Sequence, residues 1–107
     1  MESQSEFYCN IGVLNSDERA RHRQLTEKLL ALRTATLEMA DGYQFQYRPG
    51  HLSLAELADW VAAESKCCPF FDFHIDLLER GTVVCLRLTG KEGVKRFIRA
   101  EFHLDSE

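Results

Sequence analysis

The chain has 107 residues, 45% of them hydrophobic and 28% charged, with a formal net charge of −4 and a sequence isoelectric point near 5.6. That length fits one domain, residues 1–107, and can bury a core without disulfides or metals. The acidic balance argues against a nucleic-acid module. No apolar run approaches the roughly 20 residues that span a bilayer, so neither nucleic acid nor membrane is expected as a partner.

The opening stretch, Met1-Glu2-Ser3-Gln4-Ser5-Glu6, has neither the basic region nor the apolar run of a signal peptide. This points to the cytoplasm, where the four cysteines are expected as free thiols and a disulfide framework is a poor reading. The first apolar run, Phe7-Tyr8-Cys9-Asn10-Ile11-Gly12-Val13-Leu14, is short, rich in strand formers, and predicts a strand. Asn15-Ser16-Asp17-Glu18 then supplies capping oxygens and first-turn acids. Leu25, Leu29, Leu32 and Met39 recur on one face beyond it, which predicts a long amphipathic helix ended by Asp41-Gly42. The run Arg19-Ala20-Arg21-His22-Arg23 falls on its solvated side, His22 included.

Tyr43-Gln44-Phe45-Gln46-Tyr47 alternates aromatic and amide, the period of a half-buried strand. Pro49-Gly50 terminates it, and Ser53-Leu54-Ala55-Glu56 is a capping box that opens a second helix. Leu54, Leu57, Ala58, Val61 and Cys68 form the apolar line of that helix, and Trp60, Glu64 and Cys67 a neighbouring one. Trp60 reads as a partly buried anchor. Past Pro69 the period becomes two: Phe71, Phe73, Ile75 and Leu77 share one face, and Asp72, His74 and Asp76 the other. Glu79-Arg80-Gly81 turns the chain into a returning strand, Thr82 to Leu88. Thr89-Gly90-Lys91-Glu92 matches a capping box ahead of a helix with core face Val94, Phe97 and Ile98.

The predicted order is βαβαββα. It implies an α+β two-layer sandwich, a mixed four-stranded sheet with three helices on one face. The other sheet face would carry Gln44, Gln46, Asp72, His74, Asp76, Cys85 and Arg87. It meets either water or a second copy, in a homodimer.

Adjacent thiols beside a carboxylate are the chemically distinctive feature. Glu64 stands three residues before Cys67 and four before Cys68, neighbours on a helix surface. Pro69 disfavours helical geometry at Cys68 and ends the helix there. A helix C-terminus is electron-rich and raises a thiol pKa, and Glu64 acts in the same direction, so a free thiolate nucleophile is disfavoured. A soft metal ion reverses the balance by binding the thiolate. The leading expectation is therefore capture of a soft metal such as zinc, or of a metalloid, with Cys67, Cys68 and Glu64 as ligands. Two adjacent cysteines do not complete a four-ligand site; Cys9, Cys85, His51 and His74 are the candidates to join them.

The ordinary alternatives are that Cys68, Cys9 and Cys85 are core packing, that Glu64 and the Asp72–His74–Asp76 trio are solvated, and that His22 and His103 lie on the surface. A redox enzyme with Cys67 as reacting sulfur, Cys68 as resolving partner and Glu64 as proton shuttle is a second functional reading. A small interaction or dimerisation domain with structural cysteines is a third. No phosphate loop, Ser/His/Asp constellation or nucleotide fingerprint occurs, and no catalytic residue is assigned.

The stretch Glu64-Ser65-Lys66-Cys67-Cys68-Pro69-Phe70 resembles a motif of small, uncharacterised bacterial proteins that carry E-x-x-C-C-P-F. Leu86-Arg87-Leu88-Thr89-Gly90-Lys91-Glu92-Gly93-Val94-Lys95-Arg96-Phe97 is similar to their L-x-L-T-G-x-x-G-x-x-x-F pattern. The resemblance covers roughly the second half of the chain. It implies Glu64, Cys67 and Cys68 as motif positions and a loose association with heavy-metal or arsenic resistance, with no catalytic assignment.

Overall fold

The computed structural model describes residues 9–104, so Phe7 and Tyr8 of the first expected strand lie outside the described residues. Helix α1 (Ser16–Leu32) opens on a capping box: the Asn15 side chain accepts from the Glu18 N–H, and the Glu18 carboxylate accepts from the Asn15 N–H. Strands β1 (Ala35–Met39) and β2 (Gly42–Tyr47) form a hairpin. Ser53 and Glu56 cap helix α2 (Leu54–Cys67) in the same reciprocal way. A second hairpin, β3 (Asp72–Leu78) and β4 (Val83–Thr89), leads to helix α3 (Val94–Glu101). The expected α+β inventory of three α-helices and one four-stranded sheet is present among the described residues.

Its arrangement differs from the predicted one in two ways. The sheet runs β1-β2-β4-β3 with every pairing antiparallel, not mixed. Its first strand follows the long helix instead of preceding it. Arg33 adopts an extended backbone and stops α1 before Leu37 and Met39 are reached. The β-branched Thr34 and Thr36 then favour the strand. Ala40-Asp41 makes a two-residue turn that sets Met39 opposite Gly42. Asp41-Gly42 is thus a hairpin turn and not a helix stop. Gly42 is required for space: a Cβ there would lie 1.8 Å from the Leu88 carbonyl oxygen of β4.

The segment Cys9–Leu14 is not a strand. Ile11–Val13 is a 3₁₀ turn shaped by the Asn10 side chain, which accepts from the Gly12 N–H at 3.1 Å. The Asn10 N–H donates to the Cys67 carbonyl at 2.8 Å, so this segment docks on the end of α2 and not on the sheet. The Thr89–Glu92 capping box is also not formed. Thr89 stays in β4 with its hydroxyl 3.2 Å from His74 Nε2, and α3 starts after Gly93, whose φ of 98° suits glycine.

Tyr43, Phe45, Tyr47, Val84, Leu86 and Leu88 make the buried sheet face, against Leu25, Leu29, Leu57, Trp60, Val94 and Ile98 of the helices. Trp60 is fully buried, not partly, with Phe73 and Phe102 at its ring edges. Gln44, Gln46, Asp72, His74, Asp76, Cys85 and Arg87 share the opposite face, as the alternation predicts. Ion pairs Glu18–Lys66, Arg21–Asp59 and Lys28–Glu56 run in opposite chain senses along α1 and α2, which makes these helices antiparallel. No helix among the described residues is long and apolar enough to cross a membrane.

Gly42→Ala should lower stability by about 3 kcal/mol, the upper end of overpacking costs. Gly50→Ala, whose Cβ meets nothing within 4 Å, should stay within about 0.5 kcal/mol. Urea denaturation of the two variants makes the comparison.

Candidate metal centre

Each of the three helices turns one ionisable residue toward the core. On α1, His22 stands three residues before Leu25 and seven before Leu29, along the same buried stripe. On α2, Glu64 continues the buried line Leu57, Trp60 and precedes Cys67. On α3, Glu101 follows Val94 and Ile98. Helical periodicity alone aims these three side chains inward, and the packing brings them together.

Glu64 is at the centre and has no exposed surface. His22 Nε2 lies 2.7 Å from Glu64 Oε1. The imidazole stacks on the Trp60 ring with centroids 6.0 Å apart and 12° between planes. Thr26 ties both elements: its hydroxyl donates to the His22 carbonyl and accepts from Trp60 Nε1 at 3.0 Å. The sulfurs sit on the other side. Cys67 closes α2, and Cys68 leaves the helix with its N–H donating to the Glu64 carbonyl at 2.7 Å. The Cys67 and Cys68 sulfurs are 3.8 Å apart. Cys68 forms a disulfide with Cys9, while Cys67 is a free, buried thiol. Two sets of ligating atoms share Glu64: one with His22 and Cys67, the other with Cys9, Cys68 and Glu101, and within each set all lie within 4.8 Å of one another.

The electrostatics follow from burial. Glu101 is pushed up from 4.5 to about 9, first by desolvation and then by the charge of Glu64 and the hydrogen bond to it. Glu64 is also raised by desolvation, against which the hydrogen bond from Glu101 works. Glu64 Oε2 and Glu101 Oε1 are buried with no hydrogen-bond partner. Two carboxyl groups in this position cannot both ionise, so Glu101 keeps the proton and donates it to Glu64. Desolvation lowers the pKa of His22; a neutral ring then donates Nε2–H to the Glu64 carboxylate. Cys67 is pushed up to about 11, by desolvation first and then by Glu64 and Glu101. It carries no thiolate at neutral pH, so free nucleophilic chemistry at Cys67 is disfavoured, as its place at a helix C-terminus implies.

Several expectations are corrected by this geometry. His22 is buried and not on the surface, and Glu64 is not solvated. Of the candidates to join the pair, Cys9 bonds Cys68, while Cys85 lies on the far face of the sheet. Cys68 therefore pairs with Cys9 and not with Cys67, and the cysteines are not all free thiols. His51 is exposed in the turn after β2, and His74 sits on the outer sheet face beside Thr89, so neither joins the cluster. The Cys67 and Cys68 sulfurs are sealed, but among an imidazole and two carboxyl groups, not among aliphatic side chains alone. His22 also lines two surface clefts, of about 280 Å³ between α1 and α2 and about 390 Å³ on the other flank of α1. Glu101 and His22 were both readable in principle, since each lies on the apolar stripe of its helix. The Cys9–Cys68 pairing has no local sequence signal. Comparison with models of known protein families, with curated proteins and with solved structures returned no match to this chain.

Two outcomes follow for the metal-free protein. The raised Glu101 pKa contributes stability that is complete below 4.5 and lost as pH rises toward about 9. The lowered His22 pKa acts oppositely but only below 6.5, and Cys67 adds its loss only above 9.0. Between pH 6.5 and pH 9 stability should therefore fall with rising pH, by at most about 1.4 kcal/mol per unit from Glu101, with the raised Glu64 acting in the same direction, and Glu101→Gln should reduce that slope in urea titrations. The disulfide closes a loop with sequence separation 59. Its reduction should lower stability by up to about 4 kcal/mol by the loop-entropy relation, read as a lower denaturation midpoint in the presence of reductant.

Proposed function

We propose that this protein captures a soft metal ion or metalloid in the buried cluster around Glu64, with Cys67 and Cys68 as sulfur ligands, Glu64 as oxygen ligand, and His22, Cys9 and Glu101 available to complete the shell. The carrying observation is the 3.8 Å spacing of the Cys67 and Cys68 sulfurs. Zinc–thiolate bonds of ~2.3 Å in a tetrahedral site place two sulfurs ~3.8 Å apart. The remaining donors form two sets around the same carboxylate, His22 with Cys67 and Cys9 and Glu101 with Cys68, each set within 4.8 Å. Imidazole, thiolate and carboxylate together form a donor set for zinc and its heavier congeners.

The high pKa of Cys67 supports a ligand over a nucleophile, because an arriving cation supplies the driving force for deprotonation. The resemblance to the E-x-x-C-C-P-F proteins supports the choice of Glu64, Cys67 and Cys68. Sulfur ligands that must be reduced to bind suit a cytoplasmic setting.

Titration calorimetry of the reduced protein with Zn(II) and Cd(II) tests this. One ion should bind per chain, and replacing both Cys67 and Cys68 with serine should abolish binding while leaving the circular dichroism spectrum folded. Glu64→Gln should weaken binding by at least about 10-fold. Unchanged binding in the double serine variant refutes the reading; absence of binding in the parent protein leaves the cysteines a packing role.

A further inference from the structure

We propose that the Cys9–Cys68 disulfide is a two-electron lock on this site, opened by a dithiol, and that the opened form is the one that takes the metal at full affinity. The inference rests on the metal-capture reading and adds its regulation. Three sulfurs surround Glu64, but two of them are committed to each other. A disulfide sulfur carries no thiolate to offer a soft ion. In the locked form the available set shrinks to His22, Glu64 and Cys67. Opening the bond restores Cys9 and Cys68 and, with Cys67, gives a three-sulfur set around one carboxylate.

The lock also holds a strap. The segment from Cys9 to Leu14 packs on the end of α2 through the disulfide and through the Asn10 N–H on the Cys67 carbonyl. Neither surface cleft beside His22 is lined by a cysteine. Releasing the strap uncovers the sulfur side of the cluster, the side the ion has to reach. The two disulfide sulfurs are unequal in access: Cys68 is fully buried, and Cys9 is only partly so.

Attack therefore enters at Cys9. A thiolate of an external dithiol bonds to Cys9 Sγ, the Cys9–Cys68 bond breaks, and the electron pair leaves on Cys68 Sγ, which takes up a proton. The second thiol of the same reductant loses its proton and attacks its partner sulfur in the mixed disulfide. Cys9 leaves as a thiolate and is protonated. The dithiol departs as a disulfide, and the protein has gained two electrons and two protons. The reductant must be external, because exchange with the neighbouring Cys67 thiol would only move the disulfide and supply no electrons.

The test uses the full chain and Cd(II) alone as probe, followed by sulfur-to-cadmium absorption in the near ultraviolet. The oxidised protein is compared with protein reduced by a dithiol that is then removed without air. Cadmium should bind the oxidised form about 100-fold more weakly, a loss on the scale that altered metal surroundings produce, and reoxidation should restore the weak state. Cys9→Ser has no lock, so its affinity should not depend on prior reduction. Equal affinity of the two wild-type forms overturns the lock while leaving metal capture standing, and so does a Cys9→Ser variant that still responds to reductant. Failure of both wild-type forms to bind removes the metal reading and the lock with it. Should Cys9→Ser not fold, the wild-type comparison decides alone.

Discussion

A carboxylate with no exposed surface is held in the middle of three helices, and most of the structure's particular geometry depends on satisfying it. Taking Glu64 out of water costs several kcal/mol unless its charge is met or neutralised. His22 meets it from α1 at 2.7 Å, and the protonated Glu101 meets it from α3. Rotating α1, or sliding it by a turn, would take His22 away from the Glu64 oxygen it meets. The aliphatic side chains around it are non-directional and would tolerate several packings. The polar contact fixes which packing is adopted. The Trp60–Thr26–His22 chain extends the constraint by locking the imidazole plane against the indole.

Such a cluster is a poor way to stabilise a domain. Apolar side chains of similar volume would pack these positions with no desolvation cost. The surrounding core is large enough to fold without it: fully buried Trp60, Phe45, Tyr47, Phe102 and a set of leucines make one continuous cluster. The cost is borne at the one place where thiols, carboxyl groups and imidazole converge, and strongly perturbed titrations gathered at one point mark a site more often than a scaffold. That reasoning favours a ligand over a merely structural role for Cys67 and Cys68.

The legible and illegible parts of this chain divide along a physical line. Features set by residues within one turn of each other could be read: both reciprocal caps at Asn15 and Ser53, the end of α2 at Cys68, the β3–β4 hairpin, and the position of Glu64 beside Cys67 and Cys68. Strand β1 was masked by coincidence. Met39 falls at a helical interval from Leu32, so the apolar spacing runs on through a strand. That strand lies at the sheet edge, and its largely exposed residues show no alternation to betray it. His22 and Glu101 sat on the apolar lines of their helices, where a charged residue is the anomaly to notice. His22 was hidden by the arginines around it. The Cys9–Cys68 bond joins a turn to a helix end far along the chain, and only the tertiary fold brings them together.

The direction of the site's chemistry follows from where its parts sit on their elements. Cys67 is the last residue of α2 and Glu101 the last of α3, so two helix C-termini converge on the same point. Each brings the partial negative end of a helix dipole, and Glu64 adds a formal charge. The nearby cations are engaged elsewhere: Lys66 reaches Glu18 at the surface, and Arg99 donates to the Tyr43 hydroxyl. Every consequence has one sign. Acids there hold their protons, the thiol resists ionisation, and an anionic substrate would be repelled. Under the proposed reading, a cation is the visitor whose charge the site lacks, and sulfur makes that cation a soft one. The same negative potential that makes Cys67 a weak nucleophile is what would make it a good ligand under that reading, where a metal displaces its proton.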